Sequence, residues 1–154
     1  MAGPDAMTAG ILIIAHEPLA SALRQCVLHV FPDCADVVAA MDVDSSAPAE
    51  QSLEDARARM AGLGPGDVLV LTDVFGATPF NIAQKLVDGR HSRLVAGVNL
   101  PMLLRAVTYR REALDVVVAR AMAGGVQGVM QVSTVAPQNQ GRKRNDQSHH
   151  DHQQ

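Results

Sequence analysis

The chain has no tryptophan and few other rings: one Tyr and three Phe, 3% aromatic in all. Any core must therefore be built from Val, Leu, Ile, Ala and Met, which suits a hydrophobic share of 47%, ordinary for a globular protein. An excess of charge is also lacking. The formal net charge is −3 and the pI about 6.0, which excludes a broad basic surface for nucleic acid. The single basic run, Arg142-Lys143-Arg144, is short and lies in a polar tail. No apolar run approaches the ~18 residues of a membrane span. The start, MAGPDAMTAG, has neither the positive residues nor the apolar stretch of a signal peptide. The expectation is a soluble, cytoplasmic protein with no nucleic-acid partner and no direct membrane insertion. Cysteine is scarce too. Cys26 and Cys34 form no CxxC pair, so no disulfide is expected, and Cys26 reads as a free core thiol on the apolar face of a helix. There is no GxxxxGKS/T loop and no GxGxxG, so nothing signals a nucleotide. No His/Cys cluster in the body has metal-ligand spacing, so neither metal nor cofactor is expected. His149, His150 and His152 lie in the tail and read as inert.

What is present is a chain of 154 residues in which short apolar strands alternate with helices. That length suits one domain with a real core. Residues 1–8 read as a disordered leader, 9–134 as the domain and 135–154 as a disordered polar tail. Strands are predicted over Gly10–Ala15, Ala35–Met41, Val68–Leu71 and Arg93–Val98. Helices are predicted over Pro18–Val30, Ala49–Ala61, Pro79–Val87, Leu100–Arg110 and Glu112–Ala123. Gly124-Gly125 is expected to stop the last helix, and Val126–Thr134 to form a last short strand. The alternation, with strands that are continuous apolar runs, predicts an α/β sandwich with a mainly parallel sheet covered on both faces.

The most informative segment is Asp67–Asn81, DVLVLTDVFGATPFN. An apolar strand ends on a carboxylate, Asp73. The chain then turns through Gly76 and restarts as a helix at Thr78-Pro79. A second strand, GILIIA, ends the same way on His16. The C-terminal ends of strands are where open α/β sheets place chemistry. Taken alone, His16 could merely end a strand and Asp73 merely cap a turn. Their equivalent placement favours a pair, because a carboxylate bonded to one ring nitrogen fixes the tautomer and leaves the other as a nucleophile. The turn Gly76-Ala77-Thr78 adds a helix N-terminus able to hold an anion, though capping is the plainer role of Thr78. Asn99 is placed to cap the helix after the fourth strand. His29 and His91 sit in plainer surroundings and are given structural roles.

GILIIAHEPLASAL, LTDVFGATPFNIA and VAGVNLPMLLRAV, in that order, resemble the IIA domain of the mannose/fructose-type bacterial sugar phosphotransferase system. The likeness covers roughly residues 9–132. It implies that His16 accepts a phosphoryl group from the histidine phosphocarrier protein and passes it to a separate IIB component. By the same likeness Asp73 bonds to the histidine ring, and Gly76, Ala77, Thr78 and Asn99 lie about the phosphoryl group. Val74 stands where the mannose member has a threonine, so one hydroxyl contact is absent. The implied fold is a three-layer α/β/α sandwich of four to five strands. The last strand, around Val126–Val132, is open to antiparallel placement and to exchange in a homodimer. Chemically, transfer between imidazoles needs positioning and charge stabilisation rather than a metal or nucleotide. The alternative is a regulatory phosphorelay module whose phosphorylation state controls a partner protein by charge alone. TDVFGATPFN favours this family over the phosphotransferase subunit of dihydroxyacetone kinase. A generic small-molecule-binding α/β domain would need neither His16 nor Asp73.

Overall fold

The computed structural model describes residues 8–134. The leader ahead of residue 8 and the tail from residue 135 lie outside the described residues. The elements run β1 (Gly10–His16), α1 (Leu19–Val30), a 3-10 turn (Pro32–Cys34), β2 (Val38–Val43), α2 (Ala49–Ala61), β3 (Val68–Thr72), α3 (Thr78–Leu86), β4 (Ser92–Ala96), α4 (Leu100–Thr108) and α5 (Leu114–Gln127). The four strands form one sheet in the order β2-β1-β3-β4, and every pairing is parallel.

Strand side chains alternate between faces, and the two faces have separate cores. Ile11, Ile13 and Ala15 of β1 with Leu69 and Leu71 of β3 meet Val27, Leu103, Val107 and Val117 from α1, α4 and α5. Leu12, Ile14 and Val70 turn the other way, onto Ala56, Ile82 and Ala83 from α2 and α3. The result is the expected α/β/α sandwich. Burial on both faces explains why β1 and β3 are unbroken apolar runs. No helix among the described residues is long and apolar enough to cross a membrane.

The chain leaves β1 toward β2 on one side, and leaves β3 toward β4 on the other. Strand order therefore reverses between β1 and β3, and the crevice at their C-terminal ends is the switch point where such sheets take ligands.

Three expectations need correction. The last strand does not form within this chain: α5 runs through Gly124 and Gly125 to Gln127, and residues 129–134 have no regular secondary structure. The glycines serve close packing instead of stopping the helix. A Cβ on Gly124 would lie 2.8 Å from Arg105 Cβ, and one on Gly125 2.8 Å from Met102 Cε, both on α4. The sheet thus has four strands. Cys26 is exposed and Cys34 is the buried thiol, because α1 turns Val27 rather than its neighbour into the core. Finally, β2 begins three residues later than expected, because Pro32 opens a 3-10 turn that uses the preceding stretch.

Candidate functional site

His16 is the last residue of β1 and Asp73 directly follows β3. The two strands are neighbours, with Ile14 in register with Thr72, so both residues emerge at the C-terminal end of the sheet. Asp73 Oδ2 lies 2.6 Å from His16 Nδ1. The same oxygen accepts the His16 backbone N–H at 3.0 Å. Oδ1 accepts the Val74 N–H at 2.9 Å. Each carboxylate oxygen is thus held, and the carboxylate in turn fixes the ring. An acceptor at Nδ1 calls for the proton there, which leaves Nε2 with its lone pair free.

Exposure divides the roles. The His16 side chain is 47% exposed, whereas Asp73 is 12% exposed. Burial pushes the Asp73 carboxyl up, but the bonds from the His16 backbone and ring and from Val74 outweigh it and hold the group below the usual carboxylate range. The outcome is an accessible imidazole backed by a fixed negative charge. That arrangement suits a ring that becomes cationic when its free nitrogen forms a bond.

The turn after Asp73 is built as the sequence suggests, with one change. Gly76 has φ +87, a conformation other residues rarely adopt. Ala77, not Thr78, occupies the N-cap of α3. Thr78 is the first helical residue, Pro79 follows it, and no side chain caps the helix. The first-turn N–H groups and the Thr78 hydroxyl are therefore left for another acceptor, a few residues along the chain from Asp73. Asn99 does cap α4, accepting the Met102 N–H at 2.9 Å. Its amide also donates to Gly125 O at 3.1 Å. The side chain thus joins α4 to α5, and both its polar ends have protein partners.

Two features were not anticipated from sequence. Phe75 is 76% exposed and packs on Phe80 with ring centroids 4.6 Å apart, so with Val74 it gives the site an apolar rim. Thr72 is fully buried beside Asp73, and among the described residues its hydroxyl has no hydrogen-bond partner. His91 also meets a carboxylate, Asp67, at 3.1 Å, but at the N-terminal ends of β4 and β3. His29 lies in the last turn of α1. Among the described residues no group of three or more His, Cys, Asp or Glu could hold a metal ion.

The fold and site define an open parallel α/β sandwich with an oriented histidine at its switch point. Comparison narrows it: residues 10–142 match the family described as the fructose IIA component of the phosphotransferase system, and the chain belongs to that family. The mannose-specific EIIAB component of Escherichia coli is 39% identical over 85 residues, which are 53% of this chain and 26% of that protein. The match thus spans about a quarter of that curated relative. The mannose/sorbose-specific IIA subunit from Enterococcus faecalis superposes with a TM-score of 0.73 at 22% identity, covering 84% of this chain and 98% of that one. The EIIA component from Streptococcus agalactiae gives 0.71 at 23% identity, covering 82% and 99%. These two structures share the fold.

Proposed function

We propose that this chain is a phosphocarrier of a sugar phosphotransferase system, with His16 as the residue that is phosphorylated. The observation that carries the reading is the 2.6 Å contact from His16 Nδ1 to Asp73. Nε2 attacks the phosphorus of a phosphohistidine on the histidine phosphocarrier protein. A new P–Nε2 bond forms, the donor's P–N bond breaks, and its electron pair returns to the donor ring. The phosphorylated His16 ring carries the Nδ1 proton and a positive charge, which Asp73 offsets. The α3 N-terminus with Gly76, Ala77 and Thr78 receives the phosphoryl oxygens. Transfer onward to a IIB component repeats the exchange in the opposite sense, so the carrier is regenerated. The chain works in the cytoplasm, where its donor and acceptor are.

The same reading includes a homodimer. Val126, Val129, Met130 and Val132 are 68–77% exposed on the single chain, so the segment that the family likeness assigns to strand exchange is uncovered. Light scattering at micromolar concentration tests it, and a monomeric mass would exclude it.

The phosphorylation test uses phosphoenolpyruvate labelled in its phosphate, with enzyme I and the histidine phosphocarrier protein. His16→Ala should incorporate no acid-labile phosphate, while His29→Ala and His91→Ala should label as wild type does. Undiminished labelling of His16→Ala would refute the assignment.

A further inference from the structure

The sheet has two edges, β2 and β4, and the chain treats them differently. In a parallel strand the N–H and C=O of one residue point to the same side, and alternate residues face opposite sides. Ile11 N–H takes Val37 O, and Glu17 N–H takes Val43 O. The odd-numbered residues of β2 therefore face β1, and Val38, Ala40 and Asp42 face outward. At two of these positions, Val38 and Ala40, a side chain takes the outward carbonyl. Arg24, from α1 on one face of the sheet, donates through Nε to Val38 O at 2.7 Å and through Nη2 to Ala35 O at 2.8 Å. Arg59, from α2 on the other face, donates through Nη1 to Ala40 O at 2.9 Å. The Asp42 carboxylate accepts the Ser21 N–H at 3.0 Å and also the Ser21 hydroxyl. Two guanidinium groups thus reach round the edge from opposite layers and take successive carbonyls.

At β4 the pattern is otherwise. Val68 N–H takes His91 O and Gly97 N–H takes Thr72 O, so Ser92, Leu94 and Ala96 face outward. Ser92 O accepts from Gly89 within its own turn. Among the described residues no side chain takes the outward backbone groups of Leu94 and Ala96.

We propose that Arg24 and Arg59 close the β2 edge to strand pairing by another copy of this chain. An open edge strand is a template for association, and charged side chains laid along it are an effective block. Here the block is stronger than charge alone, because two of the three carbonyls a new strand would need, those of Val38 and Ala40, already have charge-assisted partners. The inference does not depend on the dimer proposed above, since it holds whether the wild type is monomer or dimer.

The test is Arg24→Met/Arg59→Met, which keeps the aliphatic stems and removes the donors. Light scattering is measured from about 10 to 200 µM beside wild type, with circular dichroism as the check on folding. Wild type should hold one mass across the range, whether monomer or dimer. The double variant should form species heavier than wild type, increasing with concentration. Adding Ala40→Pro removes the outward N–H at the centre of the strand without touching the pairing to β1, and should restore the wild-type mass. Arg59→Met alone should show a weaker form of the same effect, and it stands in if the double variant does not fold. A folded double variant with the wild-type mass throughout would overturn the proposal. So would association that persists with Ala40→Pro.

Discussion

Asp73→Asn separates the two things that Asp73 is proposed to do: hold the ring tautomer and neutralise the ring's developing charge. The carboxylate receives three donors, two at Oδ2 and one at Oδ1. An amide has one oxygen and cannot match all three. With its oxygen in the place of Oδ2 it keeps both bonds from His16 and turns its NH2 toward the Val74 N–H. Val74 is exposed, so that N–H can bond water instead. The opposite orientation sets NH2 against the His16 backbone N–H and is the costlier. The variant should therefore keep the Nδ1 proton and lose only the charge.

A hydrogen bond to a charged group contributes about 1.5–3 kcal/mol, which is roughly 10- to 150-fold in rate at about 1.4 kcal/mol per factor of ten. The half-exposed ring is partly screened by water, which points to the lower part of that range, roughly 10- to 30-fold. Asp73→Ala loses both charge and orientation and should be slower again by roughly tenfold or more. The assay is the initial rate of phosphohistidine formation from the phosphocarrier protein, with imidazole 15N chemical shifts reporting the tautomer. An Asp73→Asn rate within about twofold of wild type would refute the argument on its charge step. A wild-type ring with its proton on Nε2 would refute it at the start.

Gly124→Ala should destabilise. Helix propensity favours Ala by about 1 kcal/mol, but the new Cβ meets Arg105 Cβ at 2.8 Å, and such overpacking costs about 1–3 kcal/mol. A Tm at or above wild type in calorimetry would contradict this. Gly62→Ala is the control: its nearest neighbour is at 3.4 Å, so it should be neutral or stabilising by about 0.4–1 kcal/mol. Asp88 accepts the N–H groups of Arg90, Ser92 and His91, which lower its carboxyl to about 2. A lowered pKa stabilises the fold above the ordinary carboxylate range, and the stabilisation is lost as pH falls from about 4 toward 2. A carboxyl titration near 4 by NMR would show the turn is not formed in solution. Asp73 is lowered in the same direction, so Asp73→Asn should flatten the acid limb of the stability curve below about pH 4, read by denaturant unfolding.

The pairing of His16 with Asp73 was legible because it follows from strand geometry. Each residue ends an apolar run, and buried parallel strands put their C-terminal ends on one side of the domain. Only adjacency of β1 and β3 had to be supplied, and the reversal of strand order supplies it. Asn99 was legible as a cap for a related reason: a side chain three residues ahead of an N–H is a local relation. The errors fall where a residue's meaning depends on a distant partner. Gly124-Gly125 is locally a helix stop, yet the pair packs closely on α4, where a Cβ on Gly124 would lie 2.8 Å from Arg105 Cβ. Thr78 is locally a cap, yet the backbone enters α3 one residue earlier, and the hydroxyl is left beside the turn.

These departures share a direction. Thr78 without a capping duty, Phe75 and Val74 turned outward, and a histidine left half exposed all forgo local stability near the C-terminal ends of the central strands. Elsewhere the described residues are satisfied with care: Arg24 and Arg59 take edge carbonyls, Asn99 uses both its polar ends, and Asp88 takes three N–H groups. On the function proposed above, the polar and apolar groups left open beside His16 are those a second protein would meet. For a carrier the requirement is strict. A phosphoryl group that is to be received and then given away needs a nitrogen that reaches out of the protein, and a carboxylate that does not.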